Sequence, residues 1–371
     1  MTLKELWNFK YNAPILGIEI ADINGNGQEE ILAHTKTGWV LILSLEGELL
    51  SKNKITENSS IWCAKVVDLD KDGDIHIILG GLDGILKVFK STPSHSLKPL
   101  WAHQFGASIG GILSSDINND DNQEVIAYSL DKSIRVLNQK DGNLIWGQVF
   151  EDGIGDAMIW RDEKEVTSKE IVACGNDGTL RIFNGRSGEL LWHKRFSNKM
   201  RCVTRLNSAK GPIIACGGDD KLLHLIDKNA KEEVTYLEFE DYVWKSLSTP
   251  NPQCDKIITS TYSFAYFNES LQIDEIDFSS KLVCINNKLE VLWEINGINA
   301  ECLSSFEKKE NSFVLIGTTS GDTLMVDYNK GEILHENKKN SCINMVQGLP
   351  NSNFIAACSD DGQILGYHLG E

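Results

Sequence analysis

Short apolar runs with a period-two alternation recur along this chain, separated by clusters of turn residues. The clearest instance is Ile171 to Trp192. An apolar run, Ile171 to Cys174, meets the turn Gly175-Asn176-Asp177-Gly178. The alternating stretch Thr179 to Phe183 follows, then a second turn from Asn184 to Gly188, then a strand carrying Trp192. Turn residues that tolerate positive φ between short β-prone runs predict hairpins. The first half of the unit returns at Ile213 to Asp220 and at Ile355 to Gly362. No capped helical pattern competes with it.

Taken in order, the pattern predicts eight units of about 40–48 residues, with one near 60. The second strand of each unit is expected at 15–23, 59–69, 109–117, 156–160, 201–206, 243–247, 300–304 and 342–346. This spacing is that of four-stranded propeller blades, and a closed ring removes the sheet edges that would otherwise aggregate. The expected fold is therefore all-β. It is a single β-propeller over residues 1–371 with eight four-stranded blades, or seven if the sixth unit is misread. The chain begins on a Leu-Trp strand and stops after Ile364 to His368, where the other units continue into a Leu-Trp strand. Leu6 to Lys10 should thus complete the last blade beside Gly366-Tyr367-His368. Trp7, Trp101, Trp146, Trp192 and Trp293 are expected to pack between neighbouring blades.

Composition narrows the partners. The formal net charge of −17 disfavours nucleic acid and anionic membrane surfaces and suits bound cations or basic partners. No signal-like start and no apolar run near 18 residues is seen, so a cytoplasmic protein without membrane insertion is expected. The nine cysteines show no CxxC spacing. Cys174, Cys216 and Cys358 are expected at one position of the repeat, and Cys63, Cys202, Cys302 and Cys342 near another, all as small core residues. His34, His76 and His224 read as core or edge residues. No GxSxG, HExxH or phosphate-cradling glycine loop occurs, so an enzyme is not expected.

Three loops carry candidate chemistry. They run from Asp22 to Glu30, from Asp68 to His76 and from Asp116 to Glu124. Oxygen side chains occupy positions 1, 3 and 5: Asp22, Asn24 and Asn26; Asp68, Asp70 and Asp72; Asp116, Asn118 and Asp120. A turn residue follows at position 6. An acid closes the first and third loops, Glu30 and Glu124. His76 stands there in the second, with Asp74 expected to compensate. Hard cations take six to eight oxygens, which alternate residues of a tight loop can deliver. Calcium is the expected ion. The third loop should be weakest, because Asp121 replaces the turn glycine.

The strand, DxDxDG-like loop and hairpin over Ile15 to Leu137 resemble the FG-GAP repeat of integrin-α-type propellers. That resemblance implies calcium-ligand roles for Asp22, Asn24, Asn26 and Glu30, for Asp68, Asp70, Asp72 and Asp74, and for Asp116, Asn118, Asp120 and Glu124, on the lower face of the disc. Later units, with Asp-Gly-x-Leu and Gly-x-x-Leu-Trp, resemble pyrroloquinoline-quinone (PQQ)-type blades. The implied division is calcium-loop blades over about 1–140 and PQQ/WD-like blades over about 141–371.

Unit six departs from the repeat by inserting Thr261 to Ser280 where other units have about four residues. The insertion is aromatic (Tyr262, Phe264, Tyr266, Phe267) and acidic near its end (Asp274, Glu275, Asp277). Tyr242 and Trp244 are expected on a loop entering the same blade. These six aromatics are the candidate partner-binding residues, for a protein with a basic patch. The expected function is a calcium-stabilised, non-catalytic scaffold for protein–protein interaction, as a monomer or a subunit of a hetero-complex. The competing class is an enzyme or cofactor binder, quinoprotein-like, using the central channel. A ring of Arg, Lys and Asp around that channel would favour it, and no such ring is legible in the sequence.

Overall fold

In the computed structural model, residues 2–161, 169–208, 211–248, 255–263, 280–308 and 311–370 are described. They form 32 strands in eight four-stranded antiparallel sheets, with no helix among the described residues. The sheets are blades of a propeller. Their innermost strands are Ile15–Ala21, Ile61–Val67, Ile109–Ser115, Ile154–Arg161, Met200–Ser208, Tyr242–Ser248, Ala300–Lys308 and Ile343–Gly348. The first and last of these pack against each other, so the ring is continuous.

Closure is made by strand pairing. Thr2–Lys10 pairs antiparallel with Gln363–Gly370 and is the outer strand of blade eight. The closing strand is longer than the expected 6–10, with Thr2 opposite Gly370 and Lys10 opposite Gln363. Each sequence unit opens on a strand that is the outer strand of the preceding blade. Leu49–Lys54, the outer strand of blade one, was not predicted. Its apolar residues Leu49 and Leu50 are both exposed, so alternation carried no signal there.

Second and third strands lie between two neighbouring blades. Glu30–Thr35, His76–Gly81 and Phe354–Ser359 are buried along their whole length, which is why they read as continuous apolar runs. The recurrent tryptophans latch blade to blade. Trp7 Nε1 donates to Leu45 O at 2.8 Å, Trp101 to Gln139 O at 2.8 Å, Trp146 to Gly185 O at 2.8 Å and Trp293 to Tyr328 O at 3.1 Å. Each indole covers a glycine of the next blade's outer turn. At Gly188, with φ 72°, a Cβ would stand 2.6 Å from Trp146, so backbone and neighbour both require glycine. At the corresponding turn of blade five Lys231 takes φ 58°, and Trp192 packs in the cluster between blades four and five.

The cysteine register differs from expectation. Cys174 and Cys358 occupy equivalent positions, opposite Asp156 and Met345, but Cys216 sits one residue earlier, opposite Val203. A one-residue shift turns a strand side chain to the other face. Cys174 and Cys216 therefore meet in the same cluster between blades four and five. Cys63, Cys202 and Cys302 share a position, whereas Cys342 lies outside the strand, just before Ile343. His34, His76 and His224 are all buried, and burial holds the His34 imidazole down at about 4.

Candidate functional site

The channel has two chemically different ends. At the C-terminal ends of the first three inner strands lie the oxygen-rich loops. Their backbones match: position 4 is left-handed in each (Gly25 φ 76°, Lys71 φ 54°, Asn119 φ 63°), and so is position 6 (Gly27 φ 84°, Gly73 φ 89°, Asp121 φ 72°). Asp121 thus makes the turn that glycine makes in the other two. Position 9 clamps position 2. Glu30 Oε2 accepts from Ile23 N at 2.8 Å and Glu124 Oε2 from Ile117 N at 2.9 Å. His76 Nδ1 accepts from Leu69 N at 3.5 Å, so the histidine replaces the acid in this structural role. The clamped Ile23, Leu69 and Ile117 plug each loop into the core.

The oxygens fit a cation unequally. In the first loop both carboxylate oxygens of Asp22 accept backbone N–H bonds, at 2.7–3.0 Å from Gly25, Asn26 and Gly27. Asn24 and Asn26 likewise accept from Asn26 N and Gln28 N. His95 from the outer hairpin of blade two adds Nε2 at 3.1 Å from Glu30 Oε1. In the second loop Asp68 Oδ1 and Asp70 Oδ1 are buried with no hydrogen-bond partner, which is the donor set a hard cation would satisfy. Asp72 accepts from Asp74 N at 2.9 Å. Asp74 does not turn inward to compensate for His76, because its carboxylate pairs with Lys90. In the third loop the Lys169 ammonium donates to Asp116 O and lies 4.0 Å from Asp116 Oδ2. Asn118 Nδ2 donates to Asp120 at 3.0 Å and Glu124 at 2.7 Å. A positive charge is already built into the third loop, as it is, among the described residues, in neither of the other two at the equivalent position-1 carboxylate. Among the described residues no three His, Cys, Asp or Glu side chains converge as a metal-holding group.

At the other end, every inner strand carries one β-bulge, at its second or third residue. Bulges re-aim side chains, and here six of the eight line one cavity at the channel mouth. Around the ring from blade one the bulged residues are Leu16, Trp62, Gly110 and Gly155, then Arg201, Trp244, Glu301 and Asn344. The six that belong to blades two to seven all line a cavity of about 390 Å³ together with Asp156 and Lys245.

Tyr242 and Trp244 stand within the strand Tyr242–Ser248, not on a loop entering it. The Arg201 guanidinium lies 4.8 Å over the Trp244 ring, and Trp244 packs on Tyr262 with ring centroids 4.8 Å apart. Arg201 is also held by both oxygens of Asp219, Nη2 to Oδ2 at 2.8 Å. Structure thus brings together three of the six candidate partner residues. Phe264, Tyr266 and Phe267 lie outside the described residues. The base of the insertion is tied to blade seven, where Asn299 Oδ1 accepts from Ser263 N at 3.3 Å.

The charged groups around the channel were missed in sequence because each sits alone in its own strand. Asp156 is half-buried and accepts from Ala157 N at 2.8 Å, Val203 N at 3.1 Å and Tyr128 OH at 3.2 Å, bracing blades three, four and five. Burial lifts its carboxyl to about 6 against these bonds. Glu19 makes a similar brace, accepting from Val66 N at 2.9 Å, and burial lifts it to about 7 beside Lys65. Burial also raises Glu301, while Lys245 opposes it. For Arg201, Glu301, Asp156 and Lys245 the usable signal was the shared position at or just after the bulge in each repeat.

Residues 140–257 match the family described as lambda-carrageenase beta-propeller domain. That stretch is under half of the chain and includes Asp156, Arg201, Trp244 and Lys245. No curated protein matches the chain. The fold is similar to Sqt1 from Saccharomyces cerevisiae, with TM-score 0.75 and 11% identity over 100% of both chains. It is also similar to the computationally designed Ika8 protein, with TM-score 0.73 and 14% identity over 98% of this chain and 99% of that one. BamB from Moraxella catarrhalis gives TM-score 0.67 and 14% identity over 99% of each chain. At these identities the likeness is one of fold.

Proposed function

We propose that the chain is a non-catalytic cytoplasmic scaffold whose rigid ring presents the upper rim of blades five to seven to a protein partner. The observation that carries this reading is the Arg201–Trp244–Tyr262 stack, held on strands beside the insertion of blade six. Aromatic and arginine side chains fixed by a rigid frame are the usual anchors of interfaces. The acidic residues Asp274, Glu275 and Asp277 suit a partner with a basic patch and a salt-sensitive association rate. On this reading the first three blades are of the FG-GAP kind and the later ones of the PQQ kind. Calcium staples the former. The second loop is the principal site, where Asp68, Asp70 and Asp72 would hold the ion. The first is secondary and the third is served by Lys169. The ion would supply charge neutralisation among the loop oxygens, not chemistry.

The test is affinity purification from cell extract with and without calcium, followed by identification of the captured protein. Its affinity is then measured for Trp244→Ala and for a chain in which 263–279 is replaced by a Gly-Asn turn. The expected result is a folded ring and a loss of about tenfold or more in affinity, or ~1.4 kcal/mol. Unchanged affinity in both variants would move the partner surface elsewhere and return the insertion to a self-packing loop.

A further inference from the structure

Not all the polar groups at the channel mouth are used by the protein itself. Arg201 is occupied by Asp219 and Trp244, and Asp156 by three donors. Lys245 and Glu301 are different. They feel each other's charge, Lys245 also faces the Asp156 carboxylate and Glu301 that of Asp360, yet no hydrogen bond or ion pair joins either to a described residue. Both face the same cavity of about 390 Å³, within the range of roughly 300–1,000 Å³ typical of small-molecule sites. Trp62 stands across the mouth from Trp244, half a ring away, with 53% of its surface exposed.

Two glycines line the same cavity. Gly110 and Gly155 occupy the bulge positions of blades three and four. A Cβ at Gly155 would stand 2.3 Å from Met200 O, so that position admits no side chain. The mouth is an open polar cleft with an indole platform, lined by the Lys245 ammonium and by the Glu301 and Asp156 carboxylates, of which Lys245 and Glu301 make no hydrogen bond to the described residues.

The occupant must serve both charges. A ligand with one net charge would satisfy Lys245 or Glu301 and leave the other desolvated beside a like charge, which costs affinity. A phosphate or sulfate group would also meet the negative field of a chain with net charge −17. A neutral, hydroxyl-rich ring avoids both penalties. Its hydroxyls donate to Glu301 and accept from Lys245, and its apolar C–H face can lie on Trp62. We infer that the channel mouth is a binding site for a short neutral oligosaccharide, seated on Trp62 and bridged between Lys245 and Glu301. This goes beyond the scaffold reading and does not depend on it.

The full chain is screened by saturation-transfer NMR against a panel of neutral di- and trisaccharides built from glucose, galactose, mannose and N-acetylglucosamine. The tripeptides Gly-Lys-Gly and Gly-Glu-Gly are run beside them. At least one saccharide should bind at millimolar concentration or better, and neither peptide should compete. Trp62→Ala and Glu301→Gln should each weaken that saccharide by about tenfold or more. Trp62 is exposed and Glu301→Gln keeps shape, so both variants should melt as the parent does. Lys245→Met replaces either that does not. No binding by any panel member would overturn the inference, as would retained affinity in either folded variant. Binding of a charged tripeptide instead would make the cleft a peptide site and would equally refute it.

Discussion

The two ends of the channel are made from the same repeated unit and use polar side chains in opposite ways. In the loops of blades one to three, carboxylates and amides fold back on their own backbone. Asp22 alone takes three N–H bonds within five residues. At the mouth of blades five to seven, bulges throw the side chains forward, and partners come from other blades. Arg201 of blade five covers Trp244 of blade six, and Asp156 of blade four accepts from blades three and five. The loop end is built mainly from local bonds, to which Lys169, His95 and Lys90 are added from other strands and turns. The mouth exists only once the ring has closed.

The largest test attacks that dependence. Deleting residues 1–10 removes the outer strand of blade eight and opens the ring. Loss of a whole paired strand should cost more than about 4 kcal/mol and abolish a single cooperative melt. A truncated chain that melts at the parent temperature would show that closure is dispensable.

The second test separates the loops from one another. A cation bound only by the folded state stabilises by about 2.7 kcal/mol at a hundredfold excess over Kd. Chelator should lower the melting temperature, and Asp68→Asn combined with Asp70→Asn should remove most of that response. Asp116→Asn should leave it intact, because Lys169 already serves that loop. An unchanged melt in chelator, with no metal by elemental analysis, would reduce all three loops to Asp/Asn turns.

Protonation provides a third, between about 1 and 3 kcal/mol. Asp156 and Glu19 have folded-state values raised to about 6 and about 7 by burial. A raised carboxyl contributes stability that is complete below its unfolded value near 4 and is lost as pH rises through the folded one. The ring should therefore lose stability between about pH 4 and pH 7 from these two groups, and Asp156→Asn with Glu19→Gln should flatten the profile. A double variant that keeps the parent slope would assign it to other groups.

The smallest effect belongs to the rim. Arg201→Met should cost about 0.5–2 kcal/mol through the lost contact with Trp244 and leave the chelator response unchanged. If it altered the chelator response, the two ends would be coupled through the ring, against the separation drawn between them.

Repeat number, closure and the latch tryptophans were legible in the sequence, because each is written in a few adjacent residues. Period-two alternation marks strands, and Gly-Asn-Asp-Gly marks a turn wherever it occurs. The first strand identifies itself by the Leu-Trp pair the last blade lacks. The oxygen spacing of the three loops was legible for the same reason. Whether those oxygens are free was not. Lys169, His95 and Lys90 reach the loops from 53, 65 and 16 residues away, and only packing brings them there. The channel mouth was beyond reading for a stronger reason. Asp156, Lys245 and Glu301 each look like a lone charged residue near the start of a strand, and Trp62 like one more apolar residue in its strand. A single added residue per inner strand, the bulge, turns them toward a common axis, and that axis is a property of eight blades arranged in a circle, not of any one of them.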